Sequence, residues 1–510
     1  MFVRKKRNKS GSVSIQIVDK SDGYRVIQTV GSSKDQQEIG SFVQRARHII
    51  RTCGGKQGEL FSFQTPEETA VRRFLGQLSN QQIRVVGPEL VFGTLFDRLG
   101  FGAIPETLFR HIVIARLAHP VSKVKTVDYL YRYQGISVAI DSIYRFLDKL
   151  NDKYKTTVER LAFEYSQSVL GSIFVVFYDM TTLYFESEDE DDLRKIGFSK
   201  DGKFQHPQIM LGLFVGEYGY PIGYDIFEGN IFEGHTLLPM LEKICRKYGL
   251  GRPVVVADAA LLSRNNLKGL IAEGYSFIIG ARIKNESDDI QRKILSQAQS
   301  AKDQEGFVVK KTDGTKLIVT YSTQRRKKDA CTRERGLDNL RKKIKSGRLT
   351  KEHINNRGYN KFLTLTGSVE IVIDENKVKD DYLWDGLKGY ITNTELSVEK
   401  IVENYRQLWQ IEKAFRISKT DLRIRPIYHY RRKRIEAHIC ITFVAYTIYK
   451  ELERLLEKNK AGFSPKRAAE LTHTMYALQQ QLPNSLGTEN IVLKMDAEQQ
   501  LLYDIVQRSC

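Results

Sequence analysis

The sequence predicts an α/β fold in which helices and strands alternate around a central sheet. Two continuous apolar runs, residues 173–177 and 253–257, have the length and composition of strands that are buried on both faces. Between them, residues 236–248 form an amphipathic stretch long enough for a helix that connects such strands. Asp179 and Asp258 follow the two runs, so both carboxylates are expected at the edge of the sheet where these strands end.

The chain begins with a segment in which apolar and polar residues alternate. Residues 13–18 follow this pattern, and residues 24–30 repeat it after a turn, as neighbouring strands do. We therefore expect residues 1–62 to form a small β-rich unit.

Residues 63–165 are expected to form a helical region that binds DNA. Within it, residues 126–134 and 138–150 predict two helices, and the turn between them contains Gly135. This is the spacing of a helix-turn-helix, whose second helix enters the major groove. Any helical hairpin with a glycine turn has the same pattern, so both interpretations stay open. In the DNA-reading one, the polar residues that reach base edges are Ser137, Asp141, Ser142 and Arg145.

Further strands are predicted in residues 166–284, the first part of the expected catalytic core. Residues 208–215 and 221–227 are β-like stretches on either side of a turn, and residues 276–280 follow a predicted helix. These stretches complete the alternating pattern of an α/β fold.

The alternation is interrupted over residues 285–380, which we expect to form a β-rich insertion. Residues 306–311, 316–321 and 362–373 are β-like, and a strongly basic stretch lies among them. A single charge run is usually a solvated surface, but clustered cations are also typical of contact with a DNA backbone. The candidate DNA-binding residues of this stretch are Arg325, Arg326, Lys327 and Lys328.

The core is expected to resume over residues 381–450. Residues 387–392 predict a strand, and residues 397–419 predict one long helix. An apolar run, residues 439–449, follows a basic segment, and residues 451–510 are expected to form a helical tail.

The composition indicates a globular protein with a polyanionic partner. The 510 residues include 80 Lys and Arg against 61 Asp and Glu, a formal net charge of +19. Phosphate backbones attract such a surface, although positive charge can also simply maintain solubility. The sequence has no apolar stretch long enough to span a bilayer, no disulfide framework and no secretory signal. We therefore expect a cytoplasmic protein that meets DNA and not a membrane.

Carboxylates at rigid positions are the candidate catalytic groups. Phosphodiester chemistry is often carried out with two Mg²⁺ ions about 3.5–4 Å apart, and Mg²⁺ prefers carboxylate oxygens. Strands disfavour aspartate, so Asp179 and Asp258, beside two predicted buried strands, are candidate ligands. A lone aspartate at such a place is often only a turn residue or a helix cap.

A third acid, Glu412, lies on the helix predicted for residues 397–419. Residues spaced by three and four share one face of a helix. The face that contains Glu412 is not aliphatic, as a core-facing stripe would be, and it carries one of the two tryptophans of the chain. It could hold a metal and contact a DNA backbone, or be an exposed face with chance ion pairs. Its members are Tyr405, Trp409, Glu412, Arg416 and Lys419.

These motifs resemble those of DDE transposases of bacterial insertion sequences, in the insertion-sequence-four superfamily. The family signature on this helix has Arg where the chain has Leu408, and Arg406 or Arg416 could supply that charge. The signature residues that match are Tyr405, Glu412 and Lys419. The resemblance covers about residues 90–450, and further blocks typical of the family are residues 178–185, 197–203, 229–236 and 256–258.

The resemblance implies an RNase H-like catalytic core with a β-rich insertion between the second Asp and the Glu. It implies that Asp179, Asp258 and Glu412 hold two divalent ions per active site, Mg²⁺ or Mn²⁺. The expected reaction is cleavage by water at the ends of the element, followed by attack of the freed 3′-OH on target DNA. Tyr405 and Lys419 would position the DNA backbone. The expected partners are element ends, target DNA and a second copy of the chain in a synaptic complex.

Two other functions remain compatible with these residues. An RNase H-fold nuclease that never joins DNA ends would use the same three acids, and a DNA-binding protein derived from an inactivated element would need none of them. The basic insertion and the large N-terminal region favour a transposase. His235, in a turn rich in Gly and Asn, is interpreted as a turn residue. The expected location is the bacterial cytoplasm, at the nucleoid.

Overall fold

The chain divides after residue 80, and the computed structural model contains two units, Met1–Asn80 and Gln81–Cys510. Residues 53–75 and 77, among which the sequence suggests a boundary at 62, lie outside the described part of the chain. The boundaries suggested at residues 165, 284, 380 and 450 stay predictions. The structure describes residues 1–21, 23–52, 76, 78–261, 263–347, 349, 351–355, 358–366, 370–481 and 488–508.

In its described residues, the first unit contains a three-stranded antiparallel sheet and the helix α1 (Gln36–Thr52). The strands β1 (Phe2–Arg7), β2 (Val13–Asp19) and β3 (Arg25–Ser33) pair in that order, and α1 packs against them. Alternate residues of a strand face the same side, so the apolar residues of β2 are buried under α1. The two predicted strands are thereby confirmed, and α1 is an addition to the prediction.

The second unit begins with a short strand and a series of helices. The predicted helix pair is present. A π-helical turn extends the helix Lys123–Tyr129 to Gln134, and the helix Ile140–Lys149 follows it. Gly135 between them has a φ of 72°, a left-handed conformation that glycine adopts without strain. The elements of this region are β4 (Ile83–Val85), α2 (Thr94–Arg98), α3 (Thr107–Ala118), α4 (Lys123–Tyr129), α5 (Ile140–Lys149) and α6 (Lys155–Leu170).

A mixed sheet of eight strands lies at the centre of the second unit. The strands of this region are β5 (Val175–Tyr184), β6 (Gln208–Val215), β7 (Pro221–Glu228), β8 (Val254–Ala257), β9 (Phe277–Ala281), β10 (Gly306–Lys310), β11 (Lys316–Tyr321), β12 (Leu363–Thr366), β13 (Glu370–Ile373) and β14 (Leu387–Thr392). The sheet order is β10–β11–β14–β9–β8–β5–β6–β7, and β12 and β13 form a separate hairpin. β8 is parallel to both β5 and β9, whereas the other neighbours are antiparallel.

Helices cover the sheet and connect it to the N-terminal helices of the second unit. They are α7 (Leu237–Tyr248), α8 (Arg264–Ala272), α9 (Asp288–Ala298), α10 (Thr323–Lys345), α11 (Glu375–Tyr382), α12 (Val398–Arg406), α13 (Trp409–Thr420), α14 (Arg432–Lys458), α15 (Pro465–Thr472) and α16 (Ala497–Gln507). The long helix α14 is buried over most of its length and packs against α3, α5 and α6. The helices α3, α5, α6 and α14 therefore share one hydrophobic core with residues of the sheet.

The segment from residue 285 to 380 is not a separate β-rich insertion. β11 pairs with β14, so β10 and β11 extend the central sheet. The basic stretch is helical, since Arg, Lys, Glu and Leu are good helix formers, and forms α10. Only a narrow face of α10 is buried, which hides the helix from a search for amphipathic patterns. The β-like piece 362–373 contains β12 and β13, apart from residues 367–369, which lie outside the described residues.

Two further expectations for the C-terminal half are wrong. The long helix predicted at 397–419 is divided at Gln407 and Leu408, because α12 packs on β8, β9 and β10 whereas α13 packs on β5 and β6. The tail after residue 450 is not wholly helical. It contains β15 (Tyr476–Gln481) and β16 (Thr488–Val492), and β15 pairs with the distant strand β4. A glutamine-rich strand lacks the alternation that predicts strands.

No helix among the described residues is long and apolar enough to cross a membrane. Cys245, Cys331 and Cys440 carry free thiols. Cys53 and Cys510 lie outside the residues that the structure describes.

Candidate active site

The two aspartates lie side by side where a parallel strand ends. In the register of β5 and β8, Tyr178 is paired with Ala257, so Asp179 and Asp258 are the residues that follow this pair. β5 continues to Tyr184 because its other edge pairs with β6. Asp179 therefore lies within β5, whereas the sequence predicts it at the end of a strand. Asp258 directly follows β8, as the sequence predicts.

The Asp179 carboxyl is partly buried among charged neighbours. Burial raises the pKa of Asp179 to about 6; the ammonium of Lys200 opposes this shift, and the negative charges of Asp258 and Glu233 add to it. The Lys200 ammonium lies 3.8 Å from the Asp179 carboxylate and 2.8 Å from that of Glu233. It also donates a hydrogen bond of 2.7 Å to the carbonyl oxygen of Met180. A carboxyl that is buried beside other acids is suited to accept a further cation.

Lys200 and Glu233 are site residues that a search for three acids misses. Burial lowers the pKa of Lys200, but Asp179 and Glu233 outweigh this effect and raise it, so the ammonium is charged. Glu233 lies in the same 3₁₀ turn as His235, the residue that is interpreted from the sequence as a turn residue. The available signal is their position, since both lie in blocks, residues 197–203 and 229–236, that the resemblance singles out.

Glu412 is exposed on α13, which packs against β5. Burial raises the pKa of the Tyr405 hydroxyl, and the charges of Asp258 and Glu412 raise it further. The charges of Asp258 and Glu412 therefore act on the same hydroxyl. Among the residues that the structure describes, no three His, Cys, Asp or Glu side chains are grouped closely enough to hold a metal ion. Glu412 is therefore not grouped with both aspartates.

Tyr405 lies against β9 at Gly280, where a larger residue would collide with it. A Cβ atom at Gly280 would lie 2.5 Å from the Tyr405 hydroxyl oxygen and 3.2 Å from the backbone nitrogen of Ala259. The Lys388 ammonium lies 4.5 Å from the centroid of the Tyr405 ring, a distance at which cation and ring attract each other. The missing side chain at residue 280 therefore allows Tyr405 to lie beside Asp258.

Lys419 is paired inside the protein. Its ammonium lies 3.3 Å from the Asp201 carboxylate, and Arg425 forms an ion pair with the same acid. Burial lowers the pKa of Lys419, and the charge of Asp201 opposes this shift. Two cations thus share one carboxylate beside the C-terminal end of α13.

The other residues of the predicted helix face are more exposed. Trp409 and Arg416 are exposed on α13, and the Lys413 ammonium lies 5.4 Å from the centroid of the Trp409 ring. Because the helix is divided, Tyr405 and Arg406 belong to α12. Arg406 donates a hydrogen bond of 3.0 Å to the Gln304 side chain.

A basic cleft of about 830 Å³ adjoins these residues. Arg325 and Lys328 of α10 line it together with Lys388, which also lies over Tyr405. Arg325 lies 3.5 Å from the carboxylate of Asp329, one turn further along the helix. Lys388 therefore connects this cleft to Tyr405.

The remaining DNA-binding candidates lie on exposed helical surfaces. Arg326 donates a hydrogen bond of 3.4 Å to the Tyr321 hydroxyl, and Lys327 is exposed. On α5, Arg145 is exposed and donates a hydrogen bond of 3.0 Å to Ser142.

Comparisons with known proteins identify the family. A cryo-EM structure of the piggyBac transposase synaptic complex with hairpin DNA is 9% identical, with 76% of each chain covered and a TM-score of 0.38. The Mos1 transposase paired-end complex with the left transposon end is 11% identical, with 46% of this chain and 71% of that chain covered and a TM-score of 0.16. No curated protein sequence matches the chain. Residues 173–448, more than half of the chain, match the family model described as transposase DDE domain. On this match, the chain belongs to the family of transposases with a DDE domain.

Proposed function

We propose that the chain is a cut-and-paste DNA transposase with an RNase H-like core. It binds the terminal inverted repeats of its element, cleaves phosphodiester bonds there and joins the 3′-OH ends to target DNA. The observation that carries this proposal is that Asp179 of β5 and Asp258, which follows β8, are neighbours within the matched region. A homodimer in the synaptic complex and a cytoplasmic location at a bacterial nucleoid belong to the same proposal.

Asp179, Asp258 and Glu412 are the proposed ligands of two divalent metal ions, Mg²⁺ or Mn²⁺. Carboxylate oxygens are the ligands that Mg²⁺ prefers, and the burial of Asp179 beside two other acids favours an added cation. When bound, such ions supply an activated water and neutralise charge on the phosphate. Glu412 is included on the resemblance and on the charge that it exerts at Tyr405.

The residues around the acids have proposed roles in holding DNA and the acids themselves. Lys200 holds Asp179 and Glu233 in place through its three contacts. Tyr405 and Lys419 position the DNA backbone at the acids. The other proposed contacts with DNA are Arg145, Arg325, Arg326, Lys327, Lys328, Arg406, Trp409 and Arg416.

The proposal is tested by incubating the chain with the ends of its own element and Mg²⁺, with products resolved on a denaturing gel. Asp179→Asn, Asp258→Asn and Glu412→Gln remove one negative charge each and should lower the cleavage rate roughly 10³-fold or more. Binding of the ends should survive. A variant that cleaves at near the wild-type rate removes its residue from the site.

The controls are carboxylates that are exposed and lie outside this cluster. Asp192→Asn and Glu273→Gln meet this condition and should cleave normally. Asp201 and Glu233 are not suitable as controls, because they are ion-paired to Lys419 and Lys200. Pre-cleaved ends offered together with target DNA separate the alternatives. Joined products support a transposase, cleavage without joining supports a nuclease, and binding alone supports a non-catalytic protein.

A further inference from the structure

A second cavity, of about 490 Å³, lies between the N-terminal helices of the second unit and the segment that follows α13. Its wall contains two buried cations, Arg116 of α3 and Lys123 of α4, each only 5% exposed. Lys and Arg are almost never fully buried unless they are paired. The partners of these two side chains therefore decide what the cavity can hold.

Neither cation has an acidic partner among the described residues. Arg116 donates hydrogen bonds of 3.3 and 3.2 Å to the carbonyl oxygens of Leu422 and Arg423. Among the described residues, the Lys123 ammonium has no hydrogen-bond or ion-pair partner. The described side chains that line the cavity include no acid. An unpaired buried charge is costly, so an anion in this cavity would be favoured.

The wall of the cavity carries further cationic side chains, those of Lys125, Arg423 and Arg425. Burial lowers the pKa of Lys123 well below its ordinary value, and the charge of Arg116 adds to the shift, so a bound anion would stabilise the ammonium form of Lys123. Asp148, whose charge acts on His429 of this wall, is already paired with Arg434 through two hydrogen bonds. The cavity is therefore cationic without a counter-ion from the chain.

We propose that this cavity binds a phosphate group that carries a nucleoside. Its volume lies within the range of about 300–1,000 Å³ that is typical of ligand sites. Arg116 and Lys123 would contact the phosphate, and Tyr144 and Tyr428, which also line the cavity, would contact the attached nucleoside. The same chemistry occurs in a DNA strand and in a free nucleotide.

The DNA backbone is the source that the position of the cavity favours. Arg425 lines the cavity and also pairs with Asp201, the acid that holds Lys419. α4 and α5, the helix-turn-helix-like pair, form another part of the wall. A strand that runs from the acids towards these helices would pass the cavity. This choice of source rests on the proposed function, whereas the phosphate chemistry does not.

The first arm of the test uses inorganic phosphate and the full chain without metal or DNA. Thermal unfolding is compared in phosphate and in chloride at equal ionic strength. Phosphate should raise the unfolding temperature of the wild type and of the control Lys268→Met, whose lysine is exposed on α8. It should not raise that of Lys123→Met. An equal rise in Lys123→Met, or no rise in the wild type, overturns the proposal.

Lys123→Gln provides a second variant in case Lys123→Met does not fold. Without phosphate, a folded Lys123→Met should unfold at or above the wild-type temperature, because the substitution removes an unpaired buried charge. A marked loss of stability without phosphate would mean that Lys123 has a structural role, and would overturn the proposal.

The second arm identifies the source of the phosphate. If it is DNA, Lys123→Met should bind duplex DNA roughly tenfold more weakly than Lys268→Met. The slope of log K against log salt should also fall by about 1. Unchanged DNA binding with a positive first arm overturns DNA as the source and assigns the site to a free nucleotide, for which AMP is the probe. Because the first arm needs no cleavage, its failure and the failure of the transposase proposal are distinguishable.

Discussion

Asp179 is ionised at neutral pH at a cost to the stability of the folded chain. Its pKa is about 6 in the folded protein, above the ordinary value of an aspartate near 3.8, and burial is the main cause. A raised pKa means that the folded state binds the proton more tightly than the unfolded state does. The stabilisation from this proton is present below pH 4 and is lost as the pH rises through 6.

We expect Asp179→Asn to be more stable than the wild type at pH 7.5 in a chelating buffer, by up to about 3 kcal/mol. The difference should shrink towards pH 4.5, where the Asp179 carboxyl is protonated in the folded state. Urea unfolding at the two pH values measures it, with Asp192→Asn as the control. Mn²⁺ should stabilise the wild type more than Asp179→Asn. A difference that is independent of pH would contradict this account of Asp179.

The position of Tyr405 depends on the hydrogen atom that Gly280 has in place of a side chain. Gly280→Ala would place a methyl group 2.5 Å from the Tyr405 hydroxyl oxygen, which must then move. We expect Gly280→Ala to lower the cleavage rate about tenfold or more, because misplacement by about 1 Å is costly to catalysis.

A double variant shows whether Tyr405 transmits this loss. Tyr405→Phe removes the atom with which the new methyl group collides. Adding Gly280→Ala to Tyr405→Phe should therefore lower the cleavage rate much less than adding it to the wild type, and this non-additivity is measured in a double-mutant cycle. Additive losses would show that Gly280 acts through another contact, such as the backbone of Ala259.

At the scale of elements, the basic residues near the two ends of α10 differ in their surroundings. Arg325 and Lys328 near its N-terminal end line the basic cleft, whereas Lys342 and Lys343 near its C-terminal end are exposed and do not line it. Both pairs carry the same charge on one helix. The helix therefore contains its own matched control for a role of the cleft in DNA binding.

We expect Arg325→Gln with Lys328→Gln to weaken DNA binding and to lower the salt slope by about 2, because each lost phosphate contact lowers it by about 1. Lys342→Gln with Lys343→Gln should have a much smaller effect. Fluorescence anisotropy with labelled duplex at several salt concentrations measures both. Equal effects of the two pairs would mean that only net charge matters and that the cleft has no special role.

At the scale of the whole molecule, the N-terminal helices of the second unit share a hydrophobic core with the central sheet. α3, α5 and α6 pack on α14 in the core that also contains sheet residues. A fragment that lacks residues 1–165 would lose these helices and expose that core. The division of the chain after Asn80 offers a better place to cut.

We expect a fragment of residues 81–510 to unfold cooperatively within a few degrees of the full chain, since its core is intact. If α5 reads the element ends, this fragment should still give a specific footprint, and Arg145→Ala with Ser137→Ala should lose it. Circular dichroism and footprinting measure the two outcomes. A fragment that folds but gives no footprint would assign end recognition to the first 80 residues.

The apolar runs determined most of the strands of the sheet. The strands 208–215 and 387–392 have the predicted bounds as β6 and β14. The strand predicted at 253–257 begins one residue later, and the strand predicted at 276–280 is shifted by one residue. Buried strands are continuous in sequence and mark themselves by composition. Asp179, Asp258 and Glu412 were equally visible, because carboxylates next to apolar strands and on a mixed helix face stand out locally.

Tertiary structure alone decided which of these elements meet. That β10 and β11 join the central sheet, that β15 pairs with β4, and that the helix divides at Gln407 depend on partners far away in sequence. The same is true of Lys200 beside Asp179 and of the unpaired Lys123. Periodicity and composition report on the burial of a residue, whereas pairing, register and charge compensation are set by neighbours that only the folded chain brings together.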